Sequence, residues 1–101
     1  MSGEALAVQT CIEIRREIRG IEEIITEASY EMKLYEDEIT VRRERFPLHD
    51  VFDISFFRNH REEGAIGFLY LHTKNGVRTF YIRENPDMLI EVYKKLSTKE
   101  L

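Results

Sequence analysis

Residues 7–28 read AVQTCIEIRREIRGIEEIITEA, and the period assigned to this stretch decides how the rest of the chain is arranged around it. Ala7, Cys11, Ile14, Ile18, Ile21, Ile25 and Ala28 are spaced alternately four and three apart, an unbroken a/d seam. Arg15, Arg16, Arg19, Glu22 and Glu23 fall opposite the seam, as on the solvated side of an amphipathic helix. The spacing predicts a helix from about Glu4 to Ser29, so that residues 1–28 form an N-terminal amphipathic element. Gly20 then sits in mid-helix, at a cost of about 0.5–1 kcal/mol relative to Ala, and permits close approach of a neighbouring backbone.

After Ser29 the period becomes two. Tyr30, Met32 and Leu34 form one face of a first strand, and Glu36-Asp37-Glu38 is a polar turn leading to Ile39 and Val41 on a second. Pro47 interrupts that run because it lacks the ladder donor. Phe52, Ile54 and Phe56 mark a third strand. Ile66 to Leu71 carries apolar residues on both faces and predicts a fourth, central strand. Asn75-Gly76 is a strong hairpin signal, and beyond it Val77, Thr79 and Tyr81 alternate with Phe80 and Ile82 on a fifth strand. Asn85-Pro86-Asp87 opens a last helix with a cap residue, a proline suited to the first turn and an acid at the positive end of the dipole. Met88, Leu89, Val92, Tyr93 and Leu96 form its apolar stripe. The expected fold is therefore α+β: an N-terminal helix, a curved antiparallel meander of five or more strands over residues 29–101, and a C-terminal helix capping its open end.

The bulk numbers narrow the function classes. A chain of 101 residues has room for one domain, and 43% hydrophobic with 34% charged residues is too apolar for a disordered segment. Fifteen Lys and Arg against nineteen Asp and Glu leave a net charge of −4 and no basic stripe, which disfavours nucleic acid as a partner. Six acids and three bases lie in residues 1–30, so the acidity is concentrated there. The longest apolar run is far short of the roughly 20 residues a membrane span needs. Cys11 is the only cysteine and requires no oxidising compartment, so the expected location is cytoplasmic.

From Tyr30 to Leu96 the chain resembles a small bacterial pleckstrin-homology-like domain. The resemblance lies in the Glu36-Asp37-Glu38 hairpin, Phe46-Pro47-Leu48 leading into Val51 to Phe56, the Gly67 to Leu71 strand, the Asn75-Gly76 hairpin and the Asn85-Pro86-Asp87 helix. It implies a partial barrel and a binding rather than catalytic role. A complete fold of this type has seven strands before its helix, whereas five are readable here. In phosphoinositide-binding members the loop between the first two strands is basic. The carboxylates at Glu36, Asp37 and Glu38 would repel an anionic head group, so lipid binding is not carried over.

Candidate sites follow from residue chemistry. His49, Asp50 and Asp53 form an HDxxD string that lacks further ligands nearby in sequence, and a solvated strand edge fits the pattern better than a metal or acid/base site. His60 lies in a charged loop and His72 near a strand end. No nucleophile has a recognisable local motif and no glycine loop suits a phosphate, so neither catalytic residues, nor a cofactor, nor a metal is expected. Arg43 and Arg45 share a side of the predicted second strand, either as a patch for an acidic partner or as charges guarding an edge.

The interaction residues singled out are Cys11, Ile14, Ile18, Ile21, Ile25, Arg43 and Arg45. A narrow isoleucine seam suits an opposing helix, although a helix lying on its own sheet gives the same pattern. The expected function is a non-enzymatic binding module that self-associates, as a homo-oligomer, or docks a protein partner through the seam. Two alternatives remain. In a cystatin-like or NTF2-like domain the sheet would wrap the first helix around a pocket lined by Tyr30, Tyr70 or Tyr81. Arg43, Arg45, Arg58 and Arg61 would serve a disfavoured peripheral membrane contact.

Overall fold

A computed structural model describes residues 3–59 and 64–98. In order, it contains β1 (Ala7–Arg19), β2 (Glu22–Leu34), β3 (Glu38–Val41), β4 (Glu44–Pro47), a 3-10 turn (Leu48–Asp50), β5 (Val51–Phe57), β6 (Gly67–Thr73), β7 (Gly76–Ile82) and α1 (Asp87–Thr98). The seven strands form one antiparallel sheet in the order β4-β3-β2-β1-β7-β6-β5.

The expected N-terminal helix over residues 1–28 is overturned: β1 and β2 occupy that stretch as one long hairpin. The helix–meander–helix layout falls with it, and the expected five or more strands number seven among the described residues. Val8, Thr10, Ile12, Ile14, Ile18, Ile21, Ile24, Ile25 and Thr26 are β-branched, a composition that favours extended backbone over helix. Gly20 is not mid-helix but the first residue of a two-residue turn, with φ +63° and Arg19 opposite Glu22. A positive φ at the first turn residue matches the twist of the flanking strands, and glycine adopts it without a Cβ clash.

A second tight turn also departs from the expected layout. Val41 pairs with Glu44, so Arg42 and Arg43 form a turn that splits the expected second strand into β3 and β4. Arg42 has φ +54°, an uncommon conformation for a residue with a side chain. The expected first strand is the terminal part of β2, pairing Met32, Lys33 and Leu34 with Val41, Thr40 and Ile39. The hairpin foreseen at Asn75-Gly76 is present, with Thr73 opposite Gly76. There only Gly76 has positive φ, at +116°, while the Thr73 hydroxyl accepts from Asn75 N–H at 3.2 Å and donates to the Gly76 carbonyl at 2.8 Å.

β7 meets β1 in register only at Ile12 and Tyr81, so β1–β4 and β5–β7 are two blocks joined at one bridge. Between them lies the core: Met32, Leu34, Ile39, Leu69, Leu71, Ile82 and Leu89 are all essentially sealed from solvent. α1 packs against β1 and β5, inserting Leu89 and Tyr93, and the Tyr93 hydroxyl donates to the Val51 carbonyl at 2.9 Å. Val92 and Leu96 flank them, but Met88, expected in the stripe, is exposed. An irregularity between Val51 and Asp53 turns Phe52 outward while Ile54 stays in the core. Among the described residues no helix is long and apolar enough to cross a membrane.

Candidate protein-interaction surface

Two faces of the β1–β2 hairpin follow from its register. On the inner face Ala7 opposes Leu34, Gln9 opposes Met32 and Cys11 opposes Tyr30. Ala7, Gln9, Cys11, Met32 and Leu34 are buried there, with Tyr30 packed at the margin. The buried Gln9 amide is satisfied by donation to the Glu84 carbonyl at 3.2 Å. Beyond Cys11 this face continues as Glu13, Arg15, Glu17 and Arg19, opposite Ala28, Thr26, Ile24 and Glu22. Core and charge meet within one residue pair.

The outer face does the reverse. Ile12 lies opposite Ser29, Ile14 opposite Glu27, Arg16 opposite Ile25 and Ile18 opposite Glu23. Ile12 is buried where the Tyr81 bridge joins β1 to β7, but past it Ile14 is 41% exposed, Ile25 60% and Ile18 71%, and Ile21 at the turn is wholly exposed. With a rise of about 3.3 Å per residue, strands of this length reach roughly 40 Å, and the molecule measures 57 × 33 × 26 Å. The terminal part of the hairpin is thus a two-stranded ribbon projecting from the domain.

Two ion pairs brace the ribbon where it leaves the domain, one on each face. On the inner face Arg42 donates to Glu13 at 3.0 Å and stacks over the Tyr30 ring at 4.1 Å, which gives its positive φ a structural use. On the outer face Arg83 makes a forked contact to Glu27, at 2.6 and 3.1 Å, and donates to the Gly64 carbonyl at 2.5 Å. The Arg42 hydrogen bond holds the Glu13 carboxyl below its ordinary range, and Arg83 does the same for Glu27. Towards the tip Arg15 pairs with Glu13 at 3.0 Å, Arg19 with Glu17 at 3.1 Å and Arg16 with Glu23 at 2.8 Å.

The outer face runs on past Tyr81. Phe68 and Tyr81 are cross-strand neighbours with ring centroids 5.6 Å apart, and Phe68 stacks with Tyr70 at 6.3 Å. Phe57, opposite Phe68, is largely exposed. An apolar and aromatic band thus extends from β5 across β6 and β7 to the isoleucines of the ribbon.

Of the residues singled out in sequence, the structure brings Ile14, Ile18 and Ile25 together on one face and puts Ile21 at the tip. Cys11 is on the opposite face, fully buried, where desolvation pushes its thiol up to about 12. Arg43 is a turn residue, and Arg45 lies on β4 with Glu38 at 3.5 Å, so the two do not share a strand side near the isoleucines. β4 is separated from β1 by two strands. Arg58 donates to Asn85 at 2.9 Å, whereas Arg61 and His60 lie outside the described residues.

The other candidates also separate. His49 approaches Asp50 at 3.4 Å, Asp50 also meets Lys74, and Asp53 instead opposes His72 on β6. No cluster of three His, Cys, Asp or Glu suited to a metal ion occurs among the described residues. The pocket expected around a wrapped helix has no such helix to form it, and Tyr30 faces inward while Tyr70 and Tyr81 share the outer band. What sequence reasoning missed is the pair of braces, whose arginines lie 29 residues from Glu13 and 56 from Glu27. It also missed the contact between Ser55 and His72 at 2.8 Å. No local pattern marks any of them.

Compared with family models, curated proteins and solved structures, the chain matches none.

Proposed function

We propose that the chain is a non-enzymatic, cytoplasmic protein-interaction module of the pleckstrin-homology-like kind, which self-associates through its projecting hairpin. The observation that carries this is the exposure of Ile14, Ile18, Ile21 and Ile25 on a ribbon with no second layer over it among the described residues. Full burial of an isoleucine contributes roughly 1.5–3 kcal/mol, of which these four forgo a share that grows with exposure from Ile14 to Ile21, and several together mark an interaction surface more than isolated apolar residues do. The charge balance gives no support to nucleic acid, and the carboxylates of Glu36, Asp37 and Glu38, in the turn and at the start of β3, give none to anionic lipid. Among the described residues seven strands precede a helix, the count that a complete fold of that family has.

Sedimentation equilibrium tests the proposal on the intact chain. The unmodified protein is expected to assemble, and Ile18→Glu with Ile25→Glu to leave a monomer whose strand signal in circular dichroism persists. An unmodified protein that stays monomeric at every accessible concentration overturns it.

A further inference from the structure

The ribbon presents a free strand edge as well as an apolar face. β7 leaves β1 after the Ile12–Tyr81 bridge, so from Glu13 to Arg19 β1 has β2 on one side and no described strand on the other. Which backbone groups point that way follows from the turn. A two-residue loop closes on a hydrogen-bonded pair, here Arg19 and Glu22, and such pairs then alternate along the ladder. Arg19, Glu17, Arg15 and Glu13 therefore direct their N–H and C=O groups to β2. Ile14, Arg16 and Ile18 direct theirs outward.

We infer that the partner of this edge is the same edge of a second copy of the chain, paired antiparallel in the register that sets Arg16 opposite its own counterpart. This rests on the self-association proposed above and specifies its geometry. In that register Ile14 faces Ile18 of the second copy, and the two-fold axis repeats the contact. Arg15 faces Glu17 and Glu13 faces Arg19, again twice each. Every charged position except Arg16 meets an opposite charge, which is the arrangement that stabilises cross-strand pairs. Arg16 meets its copy, but each is already held by its own Glu23 at 2.8 Å. The pairing also matches the free backbone groups: Ile14, Arg16 and Ile18 are the residues facing one another, giving about six inter-chain main-chain hydrogen bonds.

Neighbouring registers fail. Centring the pair on Arg15 sets Glu13 against Glu17, and centring it on Glu17 sets Arg15 against Arg19. A one-residue slip opposes outward to inward backbone groups and moves the isoleucines to different faces. The β2 edge offers no equivalent, because residues 22–29 carry Glu22, Glu23 and Glu27 and no base. Two copies of that edge have no opposite charges of their own to set against each other. A closed dimer with isologous contacts follows, not an open array.

Charge exchange at positions 15 and 17 tests the register, with sedimentation equilibrium of the intact chain as the readout and circular dichroism to verify the fold. Glu17→Arg places like charges opposite each other twice per dimer and is expected to weaken it about tenfold. Adding Arg15→Glu restores opposite charges across the axis, and affinity is expected to return to within about threefold of the unmodified protein. Glu22→Arg, on the other edge, is expected to leave the dimer intact. Arg16→Pro removes an N–H that faces away from β2, so the hairpin is expected to survive while the dimer is lost. A dimer sensitive to Ile18→Glu but indifferent to Glu17→Arg, or not rescued by the double exchange, overturns this register and leaves self-association standing. An assembly larger than a dimer overturns the isologous geometry. A monomeric unmodified protein overturns both proposals.

Discussion

The first hairpin contains two regions that share the same two strands and one unbroken register, yet differ in what holds them. In the proximal half Ala7, Cys11, Met32 and Leu34 lie inside the core. In the distal half the same inner face carries Glu13, Arg15, Glu17 and Arg19, while Ile14, Ile18 and Ile25 sit on the outer face. A two-stranded hairpin alone is marginal in water, so within the chain the distal half is held by its ladder, its turn and its braces. Backbone pairing extends the strand. Burial decides where stability resides.

That contrast predicts very different responses to truncation. Met32 is fully buried, and Met32→Ala is expected to lower unfolding free energy by about 2–5 kcal/mol through lost burial and a cavity. Ile25→Ala, at an exposed position on the same strand, is expected to change it by no more than about 0.5 kcal/mol. Urea titrations at a concentration low enough to suppress association measure both. Comparable losses would break the division, because they would mean that the ribbon is buried within its own chain.

A smaller effect is expected at the distal turn. Gly20 has open space where a Cβ would project, so Gly20→Ala introduces no collision and acts through φ +63° alone. A side chain at positive φ costs roughly 1–2 kcal/mol. Because the turn is remote from the core, the loss should be local: amide exchange is expected to accelerate over residues 13–28 while Leu69 and Leu71 keep their protection. Uniform acceleration along the chain would show that the hairpin and the core open together.

Sequence periodicity located the second block well and the hairpin poorly, and the reason lies in particular residues. Phe80 and Ile82 alternate cleanly with Thr79 and Tyr81, a pattern only a strand explains, and the structure buries the first two and leaves the others outward. Ile14 and Ile18 are four apart, a step that shares a face in a helix and in a strand alike. The steps of three separate the two cases, since Cys11 to Ile14 crosses from the inner to the outer face of β1. The β-branched composition and Gly20 were the available signals for a hairpin. The isoleucines stand out in sequence through a spacing that suits an opposing helix, a reason the strands remove; the exposure of Ile14, Ile18 and Ile25 is a property of the folded hairpin. The braces were not, since Arg42 and Arg83 reach their glutamates only after the sheet has formed.

The braces supply the smallest effect, and its sign follows from charge. Glu13 and Glu27 have folded-state values lowered from the ordinary 4.5 by hydrogen bonds from Arg42 and Arg83 respectively. A lowered folded value means that the stabilisation is present above the unfolded value and is lost as pH falls through the folded one. Both carboxylates are solvent-accessible, so salt screens the pairs and the contribution is modest. Amide exchange over residues 13–28, corrected for intrinsic pH dependence, is therefore expected to loosen as pH falls below about 4.5, before protection at Leu69 and Leu71 is lost. Arg83→Gln is expected to produce the same loosening at neutral pH and to remove most of the further response to acid on the outer side. If that variant left ribbon protection unchanged at both pH values, the outer brace would be an incidental surface contact, and the distal half would depend on its ladder, its turn and the inner brace.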